Sequence, residues 1–222
     1  MKKIIITGVT RGIGKALAEK FLKEGWQVIG TTTTGDADFQ NPNLEIFLLD
    51  LSSPESIEKC TEAIKTKYPA VEILINNAGV LCDEEETKLV VEKLRQTLGV
   101  NLIGTTDFCE RLVPIIKEHI VNISSTAGSL ELAHEGVSHE PHHYPAYKIS
   151  KAALNMYTVT LASHLAPSNV FVSSIHPGWV KTDMGGDEAS LTTEEAATGI
   201  FDTIFSIKES GLFWYQGKRL PW

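Results

Sequence analysis

Short runs of aliphatic and β-branched residues alternate along the chain with longer stretches whose apolar positions recur at helical spacing. The short runs predict strands at 3–7 (KIIIT), 26–31 (WQVIGT), 44–49 (LEIFLL), 71–76 (VEILIN), 119–125 (HIVNISS), 170–175 (VFVSSI) and 212–215 (LFWY). The longer stretches predict helices at 13–24, 54–67, 88–117 with a break near Gly99, 146–165 and 193–207. Each stretch between strands is long enough for a crossover connection, so the pattern predicts an α/β fold: one doubly wound domain over 1–222, with a seven-stranded parallel sheet and helices on both faces. Helix starts are punctuated. Ser53-Pro54-Glu55-Ser56 puts a capping hydroxyl before a first-turn proline, and Thr192-Thr193-Glu194-Glu195 puts acids at a helix N-terminus. Residues 126–146 are polar, rich in Gly and His, and without periodicity, which predicts a long loop inserted beside the active site as a lid or substrate wall.

Composition narrows the partners. The 222 residues are 42% hydrophobic and 22% charged, as in a globular domain rather than a disordered or fibrous chain. Twenty Lys and Arg against 28 Asp and Glu leave a net charge of -8, which repels phosphate backbones and anionic membranes and predicts neither as a partner. Cys60, Cys82 and Cys109 are odd in number and form no CxxC pair, so neither a disulfide framework nor a zinc site is expected, and a reducing cytoplasm fits best. Behind Met1-Lys2-Lys3 the apolar run ends at Ile6, far short of a leader's core or a membrane span of about 20 residues.

The first strand runs into Thr7-Gly8-Val9-Thr10-Arg11-Gly12-Ile13-Gly14, and a helix follows at once. Glycines there permit a tight turn and close backbone approach, while free N–H groups and the helix dipole attract a pyrophosphate. Context gives the motif its weight: a strand, this loop and a helix make a Rossmann-type dinucleotide site. The second strand ends in Gly30-Thr31-Thr32-Thr33-Thr34-Gly35 without the acid that grips a ribose 2′-hydroxyl, and Asp36 arrives late. A cation at Arg11 with hydroxyls at Thr32 and Thr33 suits a 2′-phosphate, so the sequence leans to NADP(H), with NAD(H) the other option; the alternative for Arg11 is a solvated surface charge. Asp50-Leu51 closes the third strand, and Asn76-Asn77-Ala78-Gly79 closes the fourth, both at the edge where open α/β sheets bind ligands.

Tyr147 and Lys151 stand at i and i+4 in a strong helical pattern and share a face. A phenol of pKa about 10 is a weak acid, and a neighbouring ammonium favours its phenolate and moves it toward the working range. Tyr144 and Lys148 have the same spacing, but Pro145 belongs in a first turn, which puts Tyr144 ahead of the helix and out of reach of Lys148. Ser125, at the end of the fifth strand, can hydrogen-bond a substrate carbonyl; no G-x-S-x-G elbow accompanies it, so a nucleophilic role is not expected. His134, His139, His142 and His143 crowd the 126–146 loop, but their spacing does not suit a metal, and none is predicted. Trp179 reads equally as a lid or as core packing, while Trp214 and Trp222 read as packing.

Taken together these motifs resemble the short-chain dehydrogenase/reductase family over nearly the whole chain: TGxxxGxG at Thr7 to Gly14, NNAG at Asn76 to Gly79, Ser125, YxxxK at Tyr147 to Lys151, and Pro177-Gly178. The resemblance implies a catalytic set of Asn101, Ser125, Tyr147 and Lys151, with Asn101 holding a water in a proton relay toward Lys151. Cofactor contacts are implied at Gly8, Thr10, Arg11, Gly12, Ile13, Gly14, Thr32, Thr33, Asp50, Leu51, Asn77, Ala78 and Gly79, and at Tyr147, Lys151, Pro177, Gly178, Val180 and Thr182. Residues His176 to Gly186 and Gly217 to Trp222 look like the C-factor-like and sniffer-like carbonyl reductase branch, which implies NADPH-dependent reduction of a ketone, aldehyde or quinone. Thr33 departs from the family's frequent Arg after the second strand. The alternative function is a dinucleotide-binding sensor or signalling protein of the C-factor type with little catalysis. Relatives also imply homo-oligomers through the 99–117 and 146–165 helices. Ser125 and Tyr147 lie farther apart than is usual in the family, and the stretch from Met184 to the last helix is short. A site open beside Gly185 and Gly186 and bordered by the His-rich loop is therefore expected.

Overall fold

A computed structural model describes residues 1–134 and 143–222. The 135–142 segment, with His139 and His142, lies outside the described residues, and so does that part of the expected substrate wall. The first half of the chain follows the predicted order: β1 (Lys3–Thr7), α1 (Gly12–Lys23), β2 (Gln27–Thr32), β3 (Leu44–Leu48), α2 (Pro54–Lys67) and β4 (Val71–Asn76). The caps read from sequence form as expected. Ser53 Oγ accepts the Ser56 N–H ahead of α2, and Thr192 and Glu195 make a reciprocal capping box at the last helix.

The stretch expected as one long broken helix is four pieces: α3 (Val91–Leu98), a π-helical turn (Gly99–Gly104), α4 (Thr105–Leu112) and a 3-10 turn (Val113–Ile115). Pro114 sits in the first positions of the 3-10 turn, where its missing N–H interrupts the helical hydrogen-bond pattern, and the chain passes directly into β5 (Ile116–Ile123), three residues before the predicted strand start. Part of the expected loop is also structured, as a 3-10 turn (Thr126–Gly128) and α5 (Leu130–His134). Ser125 Oγ accepts the Ala127 N–H to start the turn, and the Trp222 carbonyl accepts the Glu131 N–H. The second contact is tertiary and leaves no local signal. The remaining elements are α6 (Pro145–Leu165), β6 (Phe171–Ile175), α7 (Thr193–Ser206), β7 (Leu212–Tyr215) and β8 (Lys218–Leu220).

The sheet has eight strands, not seven, in the order β3-β2-β1-β4-β5-β6-β7-β8, and β8 runs antiparallel to β7. The extra strand follows from a two-residue hairpin. Gln216 (φ 47°) and Gly217 (φ 73°) both take the positive φ that a type I′ turn requires. Strand order reverses between β1 and β4, and that places a crevice at the carboxyl ends of the central strands.

Strand alternation divides the core. Ile5, Leu74 and Ile120 face a layer with Phe108 and Leu161, from α4 and α6, while Ile4, Ile6, Ile73 and Ile75 face Leu17, Phe21 and Ile200, from α1 and α7. On the α6 side a buried polar ladder crosses the sheet: Asn76 Nδ2 donates to Asn122 Oδ1, Asn122 Nδ2 to Thr158 Oγ1, and Thr158 Oγ1 meets Ser174 Oγ, each at 2.8 Å. His119 is likewise a core group, 2.8 Å from Ser173 Oγ, with burial pushing its pKa down to about 4. Cys60, Cys82 and Cys109 are all free. No described helix is long and apolar enough to cross a membrane.

Gly104 and Gly99 bracket the π-helical turn and differ sharply in surroundings. A Cβ on Gly104 would lie 1.9 Å from the Leu51 carbonyl oxygen, whereas one on Gly99 would meet nothing within 4 Å. Gly104→Ala should therefore cost about 1–3 kcal/mol and lower the melting temperature by roughly 3–10 °C, while Gly99→Ala should be neutral or slightly stabilising. Thermal unfolding of the two variants side by side checks this; equal melting temperatures would contradict the close packing on Leu51.

Candidate active site

The phosphate loop is shaped by glycines at three places. Gly8 (φ 74°) and Gly12 (φ 57°) occupy the left-handed region, and a Cβ on Gly14 would lie 2.0 Å from the Gly8 carbonyl oxygen. α1 begins at Gly12 with Arg11 as its N-cap residue in an extended conformation, and no side chain caps the helix. Its first N–H groups are left to an anion, which is the cradle a pyrophosphate fits. Asn77 secures the loop from the next strand: its Nδ2 donates to Thr7 O at 2.9 Å, and its N–H, with that of Ala78, donates to Thr7 Oγ1. The Asn77 side chain is thus committed to the loop. Thr32 Oγ1 accepts the Gly35 N–H at 2.8 Å, and Thr33 is exposed beside it. Asp50 Oδ1 is held by the Ser52 hydroxyl and N–H, which lower the carboxyl's pKa.

Opposite the loop, the chain after β6 folds back on itself. Gly178 (φ 91°) turns it, Lys181 N–H donates to Leu191 O, Leu191 N–H donates to Trp179 O, and Trp179 Nε1 donates to Gly185 O at 2.8 Å. Trp179 is 54% exposed, so of its two readings core packing is excluded; Trp222 does pack, stacked on Phe213. This segment meets the phosphate loop twice. A Gly12 Cβ would lie 3.2 Å from Thr182 Cγ2, and Arg11 forms an ion pair with Asp183. Arg11, expected free for a phosphate, has a carboxylate partner.

The catalytic candidates meet where β5 ends and α6 begins. Lys151 Nζ donates to the Ile123 carbonyl at 2.9 Å and lies 5.5 Å from the Tyr147 ring centroid. A Cβ on Gly128 would lie 2.5 Å from the Lys151 carbonyl carbon, so the turn after Ser125 seats directly on this stretch of α6. Ser124 Oγ donates to Asn155 Oδ1 at 2.6 Å, and Asn155 Nδ2 reaches Gly128 O, which fastens the same two segments. Burial pushes the Tyr147 phenol up to about 12, with a side-chain hydrogen bond to Ser125 acting the other way. Burial also pushes Lys151 down to about 8. Loss of water therefore sets the direction for Tyr147, upward, where a neighbouring ammonium alone would have moved it down.

Asn101 is tied to its neighbours through its side chain. Its Oδ1 accepts the Val80 N–H at 2.8 Å, and its Nδ2 donates to Val80 O at 2.9 Å and to Ser150 Oγ at 3.1 Å. That side chain clasps three structural groups. It still borders Lys151: a Gly79 Cβ would lie 3.2 Å from Asn101 Oδ1 and 3.8 Å from Lys151 Nζ. Tyr144 does precede α6, at φ 40°, but Lys148 Nζ lies 5.3 Å from its ring centroid. The proline fixed the helix start and did not keep the pair apart. Sequence reading missed Ser150 and Gly128. Ser150 falls inside the Tyr147–Lys151 motif, and Gly128 was a visible glycine whose close contact only the fold reveals. Among the described residues no cluster of His, Cys, Asp or Glu could hold a metal.

Comparison with known proteins identifies the family. The family described as short chain dehydrogenase matches residues 2–192. A 3-oxoacyl-[acyl-carrier-protein] reductase from Aquifex aeolicus is 35% identical over 196 residues, covering 82% of this chain and 75% of that protein. The C-signal protein of Myxococcus xanthus is 32% identical over 165 residues, 68% of this chain and 93% of that one. The NADPH-bound carbonyl reductase from chicken fatty liver superposes with a TM-score of 0.89 at 27% identity, covering 100% of this chain and 99% of the other. A family match across most of the chain, with the dinucleotide loop and the Tyr147–Lys151 helix inside it, establishes that this chain belongs to the short-chain dehydrogenase family.

Proposed function

We propose that this protein is an NADP(H)-dependent carbonyl reductase in which Ser125 orients the substrate carbonyl, Tyr147 protonates its oxygen and Lys151 supports the tyrosine. The observation that carries the reading is the seating of Tyr147 and Lys151 against the end of β5, where Ser125 lies. The dinucleotide, held by Gly8, Thr10, Gly12, Ile13, Gly14, Ala78, Gly79, Val180 and Thr182, would supply the hydride. Ser125 Oγ accepts the Ala127 N–H, so its lone pair is engaged and its own hydrogen is directed elsewhere, toward a carbonyl oxygen. A phenol raised to about 12 stays protonated at neutral pH and is available as the acid. When it gives up the proton, the phenolate is stabilised by the Lys151 ammonium, already in place. Asn101 serves this set by clasping Val80 to α6 through Ser150.

NADP(H) preference rests on Arg11 at the mouth of the phosphate loop, on the absence of an acid directly after β2, and on the NADPH carried by the chicken carbonyl reductase. A 2′-phosphate would take Arg11 from Asp183, exchanging an exposed carboxylate partner for a doubly charged one. The sensor reading of the C-signal relative is less well supported, since binding alone would not require Ser125, Tyr147 and Lys151 to be assembled together.

Tyr147→Phe should lower kcat by about 10²–10⁴-fold while leaving the NADPH dissociation constant within about twofold. Turnover with a panel of quinones, dicarbonyls and aldehydes measures it, and a variant that keeps more than a tenth of the activity would refute the assignment. Lys151 is the first of the pair to titrate on the alkaline side, so kcat for reduction should fall through an apparent pKa close to 8. In Lys151→Arg that limb should move up by more than one pH unit, because the guanidinium keeps its charge; a limb left near 8 would assign it elsewhere. Arg11→Ala should raise KM for NADPH about tenfold and KM for NADH about twofold or less. Equal losses with both cofactors would remove Arg11 from 2′-phosphate recognition.

A further inference from the structure

The helix that carries Tyr147 is capped from a distant part of the chain. Tyr144 is the N-cap residue of α6, and it makes no side-chain bond to the first-turn N–H groups. Asp83, 63 residues earlier, does so in its place: its Oδ2 accepts the Ala146 N–H at 2.6 Å. Asp83 is 1% exposed, and its Oδ1 has no hydrogen-bond partner among the described residues. A buried carboxylate with so few bonds is unfavourable unless its position compensates, and here it faces the positive end of a 21-residue helix.

The segment bearing Asp83 is itself fixed. Val80 is clasped through both backbone groups by the Asn101 side chain. The Glu86 N–H donates to the Asp83 carbonyl at 3.0 Å, its carboxylate holds Lys93 at 2.6 Å, and its carbonyl accepts the Tyr144 N–H at 3.0 Å. α6 is thus gripped at Tyr144 and at Ala146. Between those points the backbone is turned into the left-handed region at Tyr144 (φ 40°), uphill for a residue with a side chain. The turn sets the Tyr144 ring edge-on to Tyr147, with centroids 6.3 Å apart.

We infer that Asp83 is a positioning residue for the proton-transfer step. It holds the first turn of α6 so that the Tyr147 hydroxyl, one residue past the captured N–H, stays in register with Ser125. This rests on the reading of Tyr147 as the acid. Asp83 acts through the backbone of Ala146 and touches no reacting atom. Misplacement of a reacting group by about 1 Å costs on the order of 10² in rate, so releasing the turn affects kcat and spares cofactor binding at the far end of the crevice.

The test uses the full-length protein with Asp83→Ala and Asp83→Asn. Asp83→Ala should lower kcat by about tenfold or more, with the KM for carbonyl and the NADPH dissociation constant held within about twofold. Asp83→Asn keeps an oxygen acceptor for the Ala146 N–H and should retain kcat within about threefold. Amide hydrogen exchange of the peptide spanning 144–150 should speed up about tenfold or more in Asp83→Ala and stay at the wild-type rate in Asp83→Asn. Wild-type kcat in Asp83→Ala, an asparagine variant as slow as the alanine one, or unchanged exchange would each overturn the inference. If Asp83→Ala does not fold, Asp83→Glu takes its place: it keeps the charge and displaces the acceptor, and unchanged kcat there overturns the inference as well. Exchange requires no turnover, so a wild-type protein inactive toward every carbonyl would defeat the reductase reading while the cap is still judged by its own readout.

Discussion

The space where Gly128 would carry a side chain is filled by the backbone of Lys151 and Ala152. That contact is the constraint on which the site depends. With it, the turn after β5 and the second turn of α6 become a single packed unit, and Lys151 can reach the Ile123 carbonyl while Tyr147 reaches Ser125. Any residue but glycine at 128 would push α6 off the sheet edge by more than the reach of these hydrogen bonds. The Asn76–Asn122–Thr158–Ser174 ladder repeats the fastening about two helical turns farther along α6, with hydrogen bonds in place of close contact. Because every link needs its partner in one position, the ladder fixes α6 along its own axis as well as against the sheet, something an apolar interface tolerant of sliding would not do.

The electrostatics of the site follow from the same burial. Tyr147 and Lys151 are both displaced toward their neutral forms, up to about 12 and down to about 8. For stability the two act in opposite directions. Between about 8 and 10.4 the unfolded chain keeps a proton on Lys151 that the folded chain has lost, so folding gains with rising pH; between about 10 and 12 the folded chain holds a proton on Tyr147 that the unfolded chain has released, so folding loses. The site stores no paired charge at rest. A negative charge arises there only as Tyr147 gives up its proton, in surroundings whose donors are already oriented.

Much of this was legible in the residues. Helix caps at Ser53 and Thr192, the glycine loop, and the i, i+4 pair of Tyr147 and Lys151 are local features, and local features survive into the fold with boundaries shifted by a residue or two. What was not legible depends on contacts across long sequence separations. The hold of Asn101 on Val80 has no local signal, because it depends on the path of the 80–90 segment. Likewise Arg11 reads as free until the chain after β6 brings Asp183 back to it. The π-helical turn at Gly99–Gly104 belongs in the same group in part: the break near Gly99 was legible, but nothing local marks its π-helical form. The eighth strand was a local feature overlooked: Gln216-Gly217 is a turn signal, and three residues suffice to pair behind it.

That eighth strand has a consequence for how copies of the chain meet. An open parallel sheet ends in unpaired backbone groups, a ready template for edge-to-edge association. Here β8 forms one flank with Lys218 and Arg219 exposed along only three residues, a short cationic edge of the kind that disfavours strand pairing. At the opposite flank Glu45 of β3 is tied to Lys67 and Tyr68, so ionic side chains lie across that edge too. Charged side chains therefore border the sheet on both flanks, and the carboxyl ends of the strands are the side on which the phosphate loop and the start of α6 lie.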